Sequence, residues 1–290
     1  MLDEIFAEYS DRTAQKELYQ RTVKAISQKE LARLTDYYEH HKENRRVLEF
    51  AEGHNMVFFD AKDGSVHYFA QMQRSVQDQI DSVVIHKNRQ YQWLLAEAYE
   101  AFEDYLEDLY ACIGFSDNNL WPMSDFGSVS IKELPGKDLQ WYKERVGEKR
   151  RKPLSILNQL RKVFPEICRI EEQNIFGINL RLSIITVEML RHIIVHNGGI
   201  VDDKDAFIEG ILKKAGLYKS DDESARSVRF VNAFFASGQY SRNITLLEIE
   251  QHRDIPNDGS YVDRFDLLLG HLMSYAHYIN EVAKTHMKPR

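Results

Sequence analysis

The chain has 290 residues, 43% hydrophobic and 29% charged, a balance that can bury a sizeable core and excludes disorder as the default state. Its formal net charge of −7 excludes a whole-protein basic field, so nucleic acid would have to meet a local patch or a groove between two copies. The two cysteines, Cys112 and Cys168, lie in apolar helical stretches with no CxxC and no paired metal spacing, which predicts reduced, buried thiols.

The first residues, MLDEIFAEYSDR, carry acids where a signal peptide is basic, and no apolar run approaches membrane-spanning length. The expectation is a cytoplasmic protein with no membrane partner. Residues 1–89 read as a helical N-terminal region of unknown role. Within it SQKE, Ser27 to Glu30, fits a capping box ahead of a new helix. VFFDAKDGSVHYF, Val57 to Phe69, sets two β-prone runs around Asp63-Gly64 and predicts a short β-hairpin.

Residues 90–290 read as a second, helical domain. From Gln90 to Ile113 the apolar positions Leu95, Ala98, Phe102, Leu106, Leu109 and Ile113 recur every three or four residues, with Glu97, Glu100, Glu103, Asp104, Glu107 and Asp108 on the other faces. That is a long amphipathic helix. Ser116 to Gly136 is expected to be an extended loop, and Asp138 to Val163 helical with a break near Lys152-Pro153. The run KERVGEKRRK, Lys143 to Lys152, offers Lys149, Arg150, Arg151 and Lys152 as possible contacts to an RNA backbone, although a charge run alone is more often a solvated helix end and turn.

A strongly apolar helix from about Ile178 to His196 ends at Asn197-Gly198-Gly199, where glycine can take the left-handed conformation that closes a helix. Asp205 to Ala215 reads as a short helix. Lys219 to Ser241 reads as a polar insertion, Asn243 to Glu250 as a strand candidate, and Ile255 to Gly259 as a turn. Tyr261, Phe265, Leu268, Leu272, Tyr275, Ile279 and Val282 mark the stripe of a last amphipathic helix. The fold class is therefore all-α with small β additions.

Functional chemistry concentrates in EMLRHIIVHNGGIVDD, Glu188 to Asp203. Arg191 is permanently charged and donates bidentately, which suits a phosphate, and His196 carries an imidazole that titrates near neutral pH. At ~100° per residue the two lie about 140° apart on a helix, so both reach one phosphate only where the helix stops near His196. Asn197 could bond the phosphate or orient His196, and His192 lies one turn earlier on the same face. Glu103 could hold Arg191 in place. The pair also fits a plainer role, helix-terminal cations bonded to the last carbonyls. A zinc site is the weaker reading, because HExxH lacks its glutamate here.

Arg191-His-Ile-Ile-Val-His196, an R-x4-H motif with a polar residue after the arginine, resembles the signature of the HEPN family. The resemblance extends over residues 90 to 285, through AFEDYLEDLY, the long loop, the motif helix ending VHNGGIVD and the final amphipathic helix. It implies a HEPN-like helical bundle. It further implies either a metal-independent endoribonuclease of toxin or antiviral-effector type, acting without cofactors on RNA in a homodimer cleft, or an inactive module that docks RNA, nucleotide or a protein. In the first case Arg191 and His196 are catalytic, and the resemblance leaves room for a restraining or activating protein partner. Some family members carry a nucleotidylated tyrosine two positions after the motif histidine, where this chain has Gly198.

The chemistry is self-consistent. Attack by the ribose 2′-hydroxyl on the adjacent phosphate needs only positioning, proton transfer and charge stabilisation. A full acid–base cycle wants two proton-transfer groups where one chain supplies one motif histidine, so two copies sharing a cleft are expected.

Overall fold

The computed structural model describes residues 1–149, 152–218, 222–249 and 263–287. It is mostly helical, with 71% helix against 9% strand, which sets the class as all-α with a two-stranded hairpin. Contacts group the chain into two units, Met1–Glu17 with Tyr91–Arg290, and Leu18–Gln90. Sequence alone draws one boundary, at 89/90. A second division falls inside the first helix.

That helix, α1 (Leu2–His41), runs without a break. The capping signal at Ser27 to Glu30 starts no new helix. Ser27 is buried with Gln20, Val23 and Leu34 at helical spacing, so packing of one stripe overrides a local cap preference.

The unit Leu18–Gln90 continues with α2 (Arg45–Glu49), capped by the Asn44 side chain, and with β1 (Glu52–Phe59) and β2 (Val66–Arg74). The strands pair antiparallel from Glu52↔Arg74 to Phe59↔Val66, with an irregularity between Met56 and Val57. This is the hairpin predicted at 57–69, extended at both ends. Its turn closes through the Asp60 N–H on the Ser65 carbonyl at 2.8 Å and the Gly64 N–H on the Asp60 carbonyl at 2.8 Å. Next comes α3 (Val76–Ser116), which starts well before Gln90. Ser75 and Asp78 cap it reciprocally: the Asp78 carboxylate accepts the Ser75 N–H at 2.8 Å, and Ser75 Oγ accepts the Asp78 N–H at 3.0 Å.

In the other unit the predicted α3 stripe, Leu95, Ala98, Phe102, Leu106, Leu109 and Ile113, is buried throughout. Tyr9 of α1 stacks on Tyr105 at 4.9 Å, and Tyr105 donates its hydroxyl to the Ala276 carbonyl at 2.8 Å. The loop 116–136 folds into three short 3-10 turns held by Trp121, whose indole N–H reaches the Tyr110 carbonyl at 2.9 Å. The expected break at Pro153 separates α4 (Leu139–Gly147) from α5 (Leu154–Val163). A helix that the sequence pattern did not mark, α6 (Pro165–Glu172), follows with proline at its first position, where the missing N–H costs nothing. Then come α7 (Leu180–Asn197), α8 (Lys204–Ala215), α9 (Asp222–Asn232) and α10 (Arg264–His286).

Two expectations are corrected here. The stretch 219–241 contains α9, whose polar face masked a buried group of Phe230 and Val231, with Phe234 and Phe235 just beyond. Asn243 to Glu250 forms only isolated bridges among the described residues, Asn243 with Ile200, Ile244 with Phe235 and Glu248 with Asp263, so it adds no strand to a sheet. The predicted turn at Ile255 to Gly259 and Tyr261 lie outside the described residues. The rest of the α10 stripe is buried as expected.

Two sets of buried polar groups in this interior are paired with one another. Glu171, 1% exposed, accepts from Arg161 Nε at 2.8 Å and from the Tyr275 hydroxyl at 2.5 Å. Ser183 and His271 Nδ1 pair at 2.8 Å, both sealed. Burial pushes the His271 imidazole down to about 4. Both cysteines are free; Cys112 is sealed, with its thiol pushed up to about 11 by burial, whereas Cys168 is only half-buried. No helix among the described residues is long and apolar enough to cross a membrane.

Candidate functional site

The site is built on α7. The Asn179 side chain accepts the Leu182 N–H at 3.0 Å and opens the helix. Residues Leu180 to Val187 are then buried on every side. Farther on only Leu190 and Ile194 stay sealed, so the helix emerges from the bundle at its last two turns. His192, His196 and Asn197 are exposed there, and Arg191 is partly exposed.

Two glycines fix where the helix ends. Gly198 takes φ +60 and Gly199 φ +77, and the Gly199 N–H returns to the Ile193 carbonyl at 3.1 Å. The Gly199 carbonyl accepts the Ile244 N–H at 2.9 Å, while Gln92 Nε2 donates to the Ile244 carbonyl at 2.8 Å. A Cβ on Gly199 would stand 2.7 Å from Gln92 Nε2. The Asn-Gly-Gly stop is thus stapled to the start of the α3 core and to residue 244.

At the motif, Arg191 Nη2 donates to Glu100 Oε1 at 2.8 Å, and its Nε is buried without a partner. The sequence reading placed Glu103 as the holder of Arg191. The hydrogen bond belongs instead to Glu100, nearly one helical turn earlier on α3. Glu103 remains electrostatically coupled to Arg191; burial raises its carboxyl to about 7, against the pull of the guanidinium and with the help of Glu188, Glu107 and Glu100. Glu188 itself is tied to Lys214 Nζ at 2.7 Å. The Tyr99 hydroxyl, buried and without a partner, is pushed well above its ordinary range by burial and by the charges of Glu188 and Glu103. The cluster Tyr99, Glu100, Glu103, Glu188, Arg191 and Lys214 is therefore a surface-reaching charge lattice between α3, α7 and α8. Sequence pointed to Glu103 and Arg191 alone, since nothing local announces which acids meet across helices.

His192 and His196 stand with ring centroids 4.7 Å apart, tilted by 55°. Among the described residues no group of three or more metal-binding side chains is placed to hold an ion. Of the four basic candidates, the two described ones pair with other acids. Lys149 pairs with Asp125 at 2.6 Å and lies 5.5 Å over the Tyr110 ring, and Lys152 pairs with Glu107 at 2.7 Å. Arg150 and Arg151 lie outside the described residues. A cavity of about 250 Å³ lined by Ile178, Asn179, Leu182, Arg226 and Phe230 contains none of the predicted site residues.

No family model, no curated protein and no solved structure matches the chain. The site is therefore argued from its own geometry.

Proposed function

We propose that the chain is a HEPN-like, metal-independent endoribonuclease in which Arg191 neutralises phosphate charge and His196 transfers a proton during attack by the 2′-hydroxyl. The observation that carries this reading is the emergence of α7 from the core at its last two turns, which presents Arg191, His192, His196 and Asn197 at one helix end. Asn197 and His192 are assigned to orienting the imidazole or the phosphate. The requirement for two proton-transfer groups makes the active form a homodimer with two such helix ends in one cleft. Glu100 sets the resting state, because the guanidinium is already engaged and an incoming phosphate must share or displace that carboxylate.

The same ion pair favours a second reading, a non-catalytic module that docks RNA, nucleotide or a protein through this surface. One experiment separates the two. Labelled RNA is incubated in EDTA with wild type, Arg191→Ala and His196→Ala: cleavage by wild type falling ~10³-fold or more in both variants supports the nuclease. Absence of cleavage by wild type, with RNA or a partner still bound, supports the module.

A further inference from the structure

The three tryptophans of the chain are placed very differently by the fold. Trp121 is 4% exposed, stacks on Tyr110 at 5.0 Å and donates its indole N–H to the Tyr110 carbonyl. Trp141 meets the Tyr142 ring edge-on at 4.9 Å and carries the Lys137 ammonium over its own ring. Trp93 is 56% exposed, and among the described residues its ring meets no other ring and its N–H no acceptor. An indole is one of the largest apolar surfaces a side chain can bury, so the one left in water marks a place where something else is received.

Helical geometry fixes where that ring stands. Between Tyr91 and Phe102 only Trp93, Glu97 and Glu100 are exposed on α3. At ~100° per residue the three fall within ~60° of one another and form a single outward strip. Glu100 is the carboxylate that holds Arg191. Eight residues away on each helix, the Gly199 backbone lies against the Gln92 side chain, where a Cβ would stand 2.7 Å from Nε2. With Arg191 beside Glu100 and Gly199 beside Gln92, α7 runs antiparallel to this part of α3. At ~1.5 Å per residue Trp93 lies ~10 Å from the level of Glu100, and His196 ~7.5 Å from the level of Arg191 in the same direction. The unengaged indole and the motif histidine therefore stand at nearly the same height on two helices joined by an ion pair, and both are exposed.

Charge sorts what each part of this surface can take. The α7 end presents Arg191, His192 and His196, where a phosphate meets cations. The α3 strip sets Glu97 and Glu100 beside the indole, and those carboxylates repel a phosphate. A nucleobase is uncharged, has a π face that an indole can stack, and carries amino groups that a carboxylate can accept. A backbone held at the end of α7 thus lays a base over Trp93, not its next phosphate.

We propose that Trp93 is a stacking platform for an unpaired base of the RNA, next to the linkage engaged by Arg191 and His196. The inference rests on the placing of RNA at the α7 end made above. It adds that the substrate is single-stranded there, because a paired base keeps its face inside the duplex stack.

The test uses the full chain. Binding is read on a labelled RNA strand of about 12 nucleotides whose 2′-hydroxyls are methylated so that it cannot be cut, and cleavage on the unmodified strand in EDTA. Trp93→Ala is expected to weaken binding ~10- to 100-fold and to raise KM alike, with kcat little changed. Trp93→Phe restores both to within about fivefold, since a smaller ring still stacks. Abasic sites walked along the strand locate the stacked base: one of them costs wild type ~10-fold or more in affinity and costs Trp93→Ala almost nothing. Circular dichroism and Tm match wild type in both variants, because the ring is exposed. Equal binding by wild type and Trp93→Ala, or a wild type indifferent to every abasic site, overturns the proposal and leaves the α7 reading standing. A wild type that binds the strand without cutting it, with binding lost in Trp93→Ala, fails the nuclease and keeps the base site. A wild type that binds no RNA overturns both.

Discussion

Four phenylalanines in each unit make the contrast plain. Phe102, Phe164, Phe234 and Phe265 are 0% exposed in the unit of Met1–Glu17 and Tyr91–Arg290, whereas Phe50, Phe58, Phe59 and Phe69 are all exposed in Leu18–Gln90. The same residue type serves as core in one place and as surface in the other. The difference arises from geometry. Helices at 3.6-residue period close their stripes against neighbouring helices, while a lone two-stranded ribbon has no second layer of its own to cover it.

The contrast can be broken most directly by truncating one ring from each set. Phe265→Ala is expected to cost about 3–5 kcal/mol by urea denaturation, and Phe59→Ala less than ~0.5 kcal/mol at concentrations where the chain is monomeric. Comparable losses at the two positions would mean that the ribbon is covered within its own chain.

A smaller effect sharpens the picture of the sealed interior. The folded-state value of His271 lies at about 4, below the 6.5 of a free imidazole, so the unfolded chain takes up a proton that the folded one refuses. The associated stability is complete above pH 6.5 and drains away as the pH falls toward 4, amounting to ~3 kcal/mol at the acid end. Urea midpoints at pH 7 and pH 4.5 should diverge less in His271→Gln than in wild type. Equal divergence would show that this imidazole is not what acid attacks.

The smallest effect lies at the rim between core and solvent. The Glu103 carboxyl is raised to about 7 from 4.5, so folding is unhindered by it below pH 4.5 and is penalised increasingly as it ionises through pH 7. Glu103→Gln is expected to gain ~1 kcal/mol at pH 8 relative to wild type and nothing at pH 4, the full shift being discounted for partial exposure. A gain independent of pH would trace the effect to packing rather than charge.

What the sequence made legible was periodic or punctuated. The α10 stripe, the buried face of α3, the stop at Gly198-Gly199 and the turn around Gly64 each follow from spacing or from a glycine that tolerates positive φ. What it hid depends on contacts far along the chain. Ser27 carries a cap signal that the packing of α1 ignores, and α9 shows water a polar face that conceals Phe230 and Val231. Around Arg191 the choice between Glu100 and Glu103 could not be made by spacing, since both lie on one helix nearly a turn apart and only the placement of α7 decides between them.

The staple joining Gly199, Ile244 and Gln92 governs how the exposed end of α7 meets the outside world. A tail secured to two remote stretches of chain resists fraying, so the backbone that carries the two imidazoles is set by the fold. A helix end that is set in advance has less conformational freedom to lose in any contact than one that frays.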